Sequence, residues 1–163
     1  MPASLAFRLA GGASNNDPTL SIGGAMSANA VSANTIFDTV TADDARAGDV
    51  EYRKMFVYND GDQDFSEVRI WISDQPTTGV YALALDSAGA NADGDTVADE
   101  DTAPTGETFS TPTDYAGGLS LGALAAGSRY AVWVRRTITS SSGGIALGSN
   151  AAQLSVRGDY VPA

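Results

Sequence analysis

The sequence contains neither cysteine nor histidine, and its one lysine is Lys54. Without cysteine the chain has no disulfide and no cysteine-ligated zinc or iron–sulfur site. Without histidine it lacks the commonest general base, the commonest metal ligand and the usual partner of a serine nucleophile. Paired carboxylates such as Asp62 and Asp64 could serve glycosidase-type chemistry, but a chance pair is expected among twenty acids. We therefore expect a protein that is not an enzyme and has no resident cofactor.

Long apolar runs and a positive charge excess are also missing. No stretch approaches the ~20 apolar residues that span a bilayer, and the N-terminus lacks the pattern of a signal peptide. The net charge of −11 disfavours nucleic acid or an anionic membrane as a partner, since both need a basic surface. Residues 1–114 hold nineteen acids and five bases, whereas residues 115–163 hold four arginines and one acid. Copies of such a chain could meet head to tail, or its own strands could pair these charges.

Helical periodicity is nearly absent, and short alternating apolar runs separated by turn residues recur instead. Eight runs predict strands, at residues 4–9, 50–58, 65–72, 80–85, 108–110, 119–124, 130–138 and 153–157. Residues 59–62 predict a hairpin turn, and residues 41–48 predict one short helical turn. About eight short strands in 163 residues are typical of an all-β fold, a β-sandwich of the immunoglobulin-like or jelly-roll type.

A segment from Gly11 to about Asn34 is rich in alanine, asparagine, serine and glycine, and Asp17 is its one charged residue. It offers few large side chains to bury, which favours an extended arm or long loop. We therefore divide the chain into an N-terminal strand and arm, residues 1–34, and a sandwich domain, residues 35–163. The arm could become ordered on another subunit or lie as a loop on its own domain.

A leucine, a glycine and a tyrosine mark one crossing between the predicted sheets. Leu124, Gly127 and Tyr130 follow the pattern L-x-x-G-x-x-Y-x-V-x-V, which in immunoglobulin-like sandwiches accompanies a tyrosine corner. The pattern predicts that Leu124 and the Tyr130 ring lie in the core. It also predicts that the Tyr130 hydroxyl bonds to backbone a few residues upstream.

The acidic loop from Asp86 to Asp101 partly matches a calcium-binding loop. With Gly94 at the sixth position, oxygen-bearing side chains fall on four ligand positions. These calcium candidates are Asn91, Asp93, Asp95 and Glu100. Gly89 stands where the first ligand should be an aspartate, and no helices flank the loop. A solvated acidic turn is therefore the favoured interpretation, and calcium binding is the alternative.

Three residues are candidates for contact with other molecules. Strand alternation places Trp71 opposite the apolar face of its strand, and Trp133 and Arg135 opposite that of theirs. We expect one or both tryptophans on an outer sheet face, where they would suit a protein contact or a sugar-stacking platform. The alternative is that the tryptophans point inward and Arg135 pairs with an acidic strand.

Several stretches resemble small accessory virion proteins of tailed bacteriophages and prophages. The residues that carry this resemblance are 9–18, 23–26, 48–53, 103–110, 118–122 and 131–137. The resemblance implies a β-sandwich particle protein without an active site, such as a capsid decoration (cement) protein or a tail or fibre component. The missing cysteines suit assembly in a bacterial cytoplasm.

The same resemblance implies the partners and the location. A decoration protein would contact other virion proteins, either the major capsid protein or tail proteins, and would form a homo-oligomer such as a trimer. It would be found in the virion after assembly in the host bacterial cytoplasm. The alternative is a tail, fibre or adhesin module that binds host surface carbohydrate.

Overall fold

The fold is all-β in the computed structural model, which describes residues 3–31, 35–141, 144–145 and 150–160. The strands are β1 (Leu5–Leu9), β2 (Asp49–Asn59), β3 (Phe65–Asp74), β4 (Val80–Ala90), β5 (Leu119–Leu124), β6 (Arg129–Ile138) and β7 (Gln153–Tyr160). The helical pieces are a short 3-10 turn (Pro18–Leu20) and α1 (Ala42–Ala47). The prediction of an all-β fold is confirmed. None of the helices in these ranges is long and apolar enough to cross a membrane.

Seven strands, rather than about eight, are found in the described part of the chain. The strand predicted at residues 108–110 is an isolated bridge between Ser110 and Leu83. Pro112 follows closely and has no N–H to donate, so the pairing cannot extend into a ladder. The short helical turn predicted at residues 41–48 is confirmed as α1, which Thr41 and Asp44 begin with a reciprocal capping box.

The strands form two antiparallel sheets. One has four strands in the order β1-β2-β6-β4, and the other has three in the order β5-β3-β7. Alternate side chains of both sheets belong to one hydrophobic cluster, and we call the faces that carry them the inner faces. Buried members from the strands are Leu9, Met55, Val57, Phe65, Val68, Ile70, Ile72, Tyr81, Leu83, Leu121, Leu124, Val132, Val134 and Leu154.

The N-terminal segment lies on its own chain. The buried Ser21 accepts a hydrogen bond from the Ala10 N–H and donates one to the Lys54 carbonyl, at 2.8 and 2.5 Å. The Lys54 N–H donates to the Ser21 carbonyl, 2.6 Å away. Further along, residues 27–31 bond to β1 through Leu9 and Phe7. The segment therefore covers the free edge of β1 and extends the sheet locally.

The crossing from β5 to β6 is held by an asparagine. Leu124 is fully buried, and Tyr130 is half-buried against the shared cluster. The Tyr130 hydroxyl, however, has no hydrogen bond to the described residues, so the predicted tyrosine-corner bond is wrong there. The buried Asn59 takes that role instead: its side-chain amide donates to the Leu124 carbonyl at 2.9 Å, and its backbone carbonyl accepts from the Gly127 N–H at 2.9 Å. Because the Asn59 side chain already donates to the Leu124 carbonyl, this crossing needs no hydrogen bond from a tyrosine hydroxyl.

Candidate functional site

The outer faces of the two sheets differ in what lies on them. The outer face of the four-stranded sheet, which we call the covered face, packs against residues 10–26 and 91–109. The outer face of the three-stranded sheet carries Arg69, Trp71 and Arg157, with Tyr115 lying against them. We call these four residues the open face. Each face contains one of the two tryptophans, so the two can be compared directly.

Trp133 lies on the covered face and is fully buried. It packs with Ala84 and Val97, and Ile22, Tyr52 and Phe109 lie against the same cluster. The prediction that Trp133 offers an exposed contact is therefore wrong. Strand alternation identified its face of the sheet correctly, but alternation carries no information about a distant segment that folds over that face.

Lys54 is the centre of the covered face and has no solvent exposure. Its ammonium lies 2.8 Å from the Asp86 carboxylate and donates to the carbonyls of Asp93 and Asp95. Its three N–H donors thus meet three acceptors. The Asp86 carboxylate also accepts from the Trp133 indole N–H at 3.0 Å and from the N–H groups of Ala88 and Asp95, both at 3.0 Å. One buried ion pair therefore fastens the acidic loop to the sheet.

The pKa of Asp86 reflects this arrangement. Burial raises it, but the Lys54 hydrogen bond and charge, together with the two backbone N–H donors, outweigh burial and hold the pKa below its ordinary value. Asp86 is therefore a carboxylate at neutral pH, and Lys54 is the cation that neutralises it.

The four calcium candidates do not converge on one point in the described structure. Asn91 accepts a hydrogen bond from the Arg129 N–H at 3.0 Å, and the Asp93 carboxylate lies 2.8 Å from the Arg129 guanidinium. Asp95 accepts from two backbone N–H groups, and Glu100 pairs with Arg53. The carbonyls on either side of Gly94 bind the Lys54 ammonium. The loop thus holds an internal cation where a calcium loop would hold an ion.

A second charge cluster lies near the start of β2, where Glu51 is in register with Arg136 of β6. One oxygen from each of Asp38, Glu51 and Glu100 falls within 4.8 Å of the others. Two buried arginines face them: Arg136 pairs with Glu51 and Asp38, at 2.5 and 3.3 Å, and Arg53 pairs with Glu100. A cation at this point would have to compete with two guanidinium groups that are already in place.

Burial and the contact between Glu51 and Arg136 act in opposite directions on the pKa values of this second cluster. Burial raises the pKa of Glu51, and the hydrogen bond and charge of Arg136 offset only part of that effect. Burial would lower the pKa of Arg136, but the same contact with Glu51 keeps it above its ordinary value. The Phe37 ring lies 5.5 Å from the Arg53 guanidinium and 4.7 Å from that of Arg136, and so closes the cluster on one side.

On the open face, two arginines stand directly opposite each other. Arg69 of β3 is in register with Arg157 of β7, and both guanidinium groups lie against the Tyr115 ring, at 5.9 and 4.9 Å from its centroid. The Tyr115 hydroxyl donates to the Glu67 carbonyl at 2.9 Å, which fixes the ring on the sheet. Like charges directly opposite each other destabilise a sheet, and the contacts of both arginines with the Tyr115 ring offset part of that repulsion.

Trp71 stands beside this arginine pair. It is half-buried, and its ring meets that of Tyr115 edge to face, with centroids 5.9 Å apart. Arg135, the third predicted contact residue, lies instead on the four-stranded sheet, half-buried with its guanidinium 5.0 Å from the Phe109 ring. Of the three predicted contact residues, Trp71 alone lies on the open face.

Sequence reasoning missed Lys54, Asp86, Tyr115 and the opposed arginines. Lys54 carried a signal, because a single lysine inside the run from Tyr52 to Val57 must be paired if the strand is buried. Tyr115 follows a proline and precedes two glycines, a context that indicates only a turn.

The chain matches no protein-family model, no curated protein and no solved structure.

Proposed function

We propose that this chain is a structural virion protein of a tailed bacteriophage that decorates the capsid. In this proposal the two sheets form an immunoglobulin-like or jelly-roll sandwich that stabilises the head through non-covalent contacts with other virion proteins. The observation that carries the proposal is the open face, where Trp71, Tyr115, Arg69 and Arg157 come together on a sheet surface.

The composition of the open face supports a protein contact. Tryptophan, tyrosine and arginine are the residues most enriched where binding energy concentrates in protein interfaces. A partner carboxylate between Arg69 and Arg157 would also relieve the repulsion between them. The covered face, by contrast, has its tryptophan buried and its central charges paired within the chain.

The strand edges support the same assignment. In the four-stranded sheet, residues 27–31 bond to the outer edge of β1, and Ser110 bonds to that of β4. In the three-stranded sheet, β5 and β7 each pair with β3 alone among the described residues. An edge without a partner strand offers backbone groups to another chain, so the free edges and the open face belong to the same sheet.

Binding to undecorated phage heads tests the proposal. We expect wild-type protein to bind and Trp71→Ala to bind about 30-fold more weakly, because an aromatic anchor in an interface contributes about 2 kcal/mol. Tyr58→Ala is the matched control, since Tyr58 is a half-buried aromatic on the four-stranded sheet. Failure of the wild type to bind heads, or equal binding by both variants, would contradict the proposal.

Carbohydrate binding is the second candidate, and the position of Trp71 favours it. Arginines flank the Tyr115 ring, so Trp71 is the aromatic of this group that would stack on a sugar. A fibre or adhesin module of this kind should give a glycan-array signal that Trp71→Ala abolishes. A blank array together with head binding would leave the decoration protein as the answer.

A further inference from the structure

We propose that the open face of one copy binds the acidic end of a second copy, so that copies associate head to tail. The acidic end consists of Asp49, Asp99 and Asp101, around the start of β2. The inference rests on the proposed function in one respect, that the open face is a contact surface, and it names the occupant of that surface.

The open-face arginines lack strong carboxylate partners. The Arg69 guanidinium donates to the carbonyls of Ala116 and Gly118, at 3.3 and 3.1 Å, and forms no salt bridge with the described residues. Arg157 lies 3.6 Å from Asp159, but both side chains are more than half exposed, so water screens the pair.

The remaining cations are mostly paired. Apart from Arg157 and Asp159, carboxylate pairs with nitrogen and oxygen within 3.6 Å join Arg8 to Asp60, Arg53 to Glu100, Lys54 to Asp86, Arg129 to Asp93, Arg136 to Glu51 and, at an exposed position, Arg46 to Asp43. Four of these six pairs lie within residues 1–114, and two, Arg129–Asp93 and Arg136–Glu51, join the basic C-terminal segment to the acidic one. The cations outside these pairs are Arg135, whose guanidinium lies 5.0 Å from the Phe109 ring, and the two open-face arginines, which oppose each other in register.

A complementary acidic group lies elsewhere on the same chain. Asp99 and Asp101 are exposed, and neither forms a salt bridge with the described residues. The Tyr52 N–H donates to the Glu100 carbonyl at 2.7 Å, which holds Asp99 and Asp101 beside the start of β2. Desolvation and the like charges of Asp49, Glu100 and Asp99 raise the pKa of Asp101 above its ordinary value. This end of the molecule thus carries crowded negative charge, as the open face carries crowded positive charge.

One contact between two copies relieves the repulsion within both crowded groups. Arginine and carboxylate form the strongest charged hydrogen bonds in proteins, and Trp71 and Tyr115 supply apolar area beside them. Because the two surfaces differ, the contact is heterologous, and copies would form a closed ring or an open chain. The net charge of −11 on each copy opposes association, so the interface is expected to be weak and sensitive to charge.

A charge-reversal cycle tests this contact. Arg157→Glu and Asp101→Arg reverse one exposed charge on each surface, and the double variant keeps the net charge of −11. Sedimentation equilibrium at about 0.15 M salt would measure association. We expect each single variant to associate about tenfold more weakly than wild type, and the double variant to associate about tenfold more tightly than the two effects combined predict.

Two controls separate local contact from net charge. Arg46→Glu and Asp43→Arg change the net charge by the same amounts at exposed positions of α1, and we expect association to change less than about threefold. A wild type that stays monomeric at about 500 μM would overturn the inference. So would a double variant without recovery, or an Arg46→Glu effect equal to that of Arg157→Glu.

Head binding keeps this inference distinct from the proposed function. If wild-type protein binds heads through Trp71 but the charge-reversal cycle shows no coupling, the decoration role stands and the inference of a second copy is wrong. If the cycle shows coupling but heads are not bound, the head-to-tail contact stands and the capsid assignment is wrong.

Discussion

The covered face and the open face each combine a tryptophan with basic side chains, and their environments are opposite. Trp133 and Lys54 are fully buried beneath segments from elsewhere in the chain, and Asp86 joins them through a hydrogen bond and an ion pair. Trp71 is half-buried, and the neighbouring Arg157 is exposed. Residue type therefore does not decide whether a sheet face becomes part of the core or a contact surface. What decides is whether another part of the chain supplies the matching acid and the covering backbone.

The covered face also shows how a charged residue can serve as a structural centre. A buried ion pair is costly to desolvate and is stable only when its remaining donors and acceptors are satisfied. Lys54 meets that condition with one carboxylate and two carbonyls. The face is therefore stable as a whole and sensitive to the loss of a single member.

Loss of the buried cation should have the largest effect. Lys54→Met leaves the Asp86 carboxylate buried without its partner, which we expect to reduce the free energy of unfolding by about 3–5 kcal/mol. Arg69→Met on the open face should cost less than about 1 kcal/mol, because Arg69 has no buried carboxylate to leave unpaired. Urea unfolding of both variants measures the difference.

A double variant sharpens this result. Lys54→Met with Asp86→Asn removes both charges and keeps an oxygen to accept from the Trp133 indole N–H. It should therefore be more stable than Lys54→Met alone. Equal losses from Lys54→Met and Arg69→Met would contradict the buried ion pair.

A glycine within the acidic loop should have the next largest effect. Gly94 has φ of +69°, and a Cβ there would lie 2.2 Å from the Asp86 carboxylate oxygens. We expect Gly94→Ala to cost at least about 2 kcal/mol, because it combines an unfavourable backbone conformation with a steric clash at the ion pair.

Gly89 provides the matched control for this substitution. It has φ of +83°, and a Cβ there would meet nothing within 4 Å. Gly89→Ala should therefore show the backbone cost alone, about 1 kcal/mol. If urea unfolding gives the same loss for both alanine variants, the loop does not pack on Asp86 as described.

The sequence was most informative where structure is local. Period-two alternation located all seven strands of the described residues. It also assigned Val68, Ile70 and Ile72 to one face, because side-chain direction along a strand follows directly from backbone geometry. The helical turn at residues 41–48 could be predicted because its N-cap, Thr41, and the glycine that ends it, Gly48, are local signals.

Features that depend on long-range contacts could not be predicted in this way. Trp133 was assigned to the correct side of its strand, but its burial depends on a small-residue segment more than a hundred positions away, around Ile22. Tyr130 fits a corner motif, yet Asn59 makes the bond that the motif assigns to tyrosine. The opposed arginines depend on strand register between residues 69 and 157, and alternation within one strand does not reveal register.

Quenching of tryptophan fluorescence tests the central claim most directly, which is that the chain covers one sheet face and leaves the other open. Trp133→Phe leaves Trp71 as the single tryptophan, and Trp71→Phe leaves Trp133 as the single tryptophan. With both variants shown to be folded by urea unfolding, the structure predicts that acrylamide quenches Trp71 several-fold more strongly. Trp133 should also emit at shorter wavelength, since it is fully buried. Equal quenching of the two tryptophans, or stronger quenching of Trp133, would contradict the account.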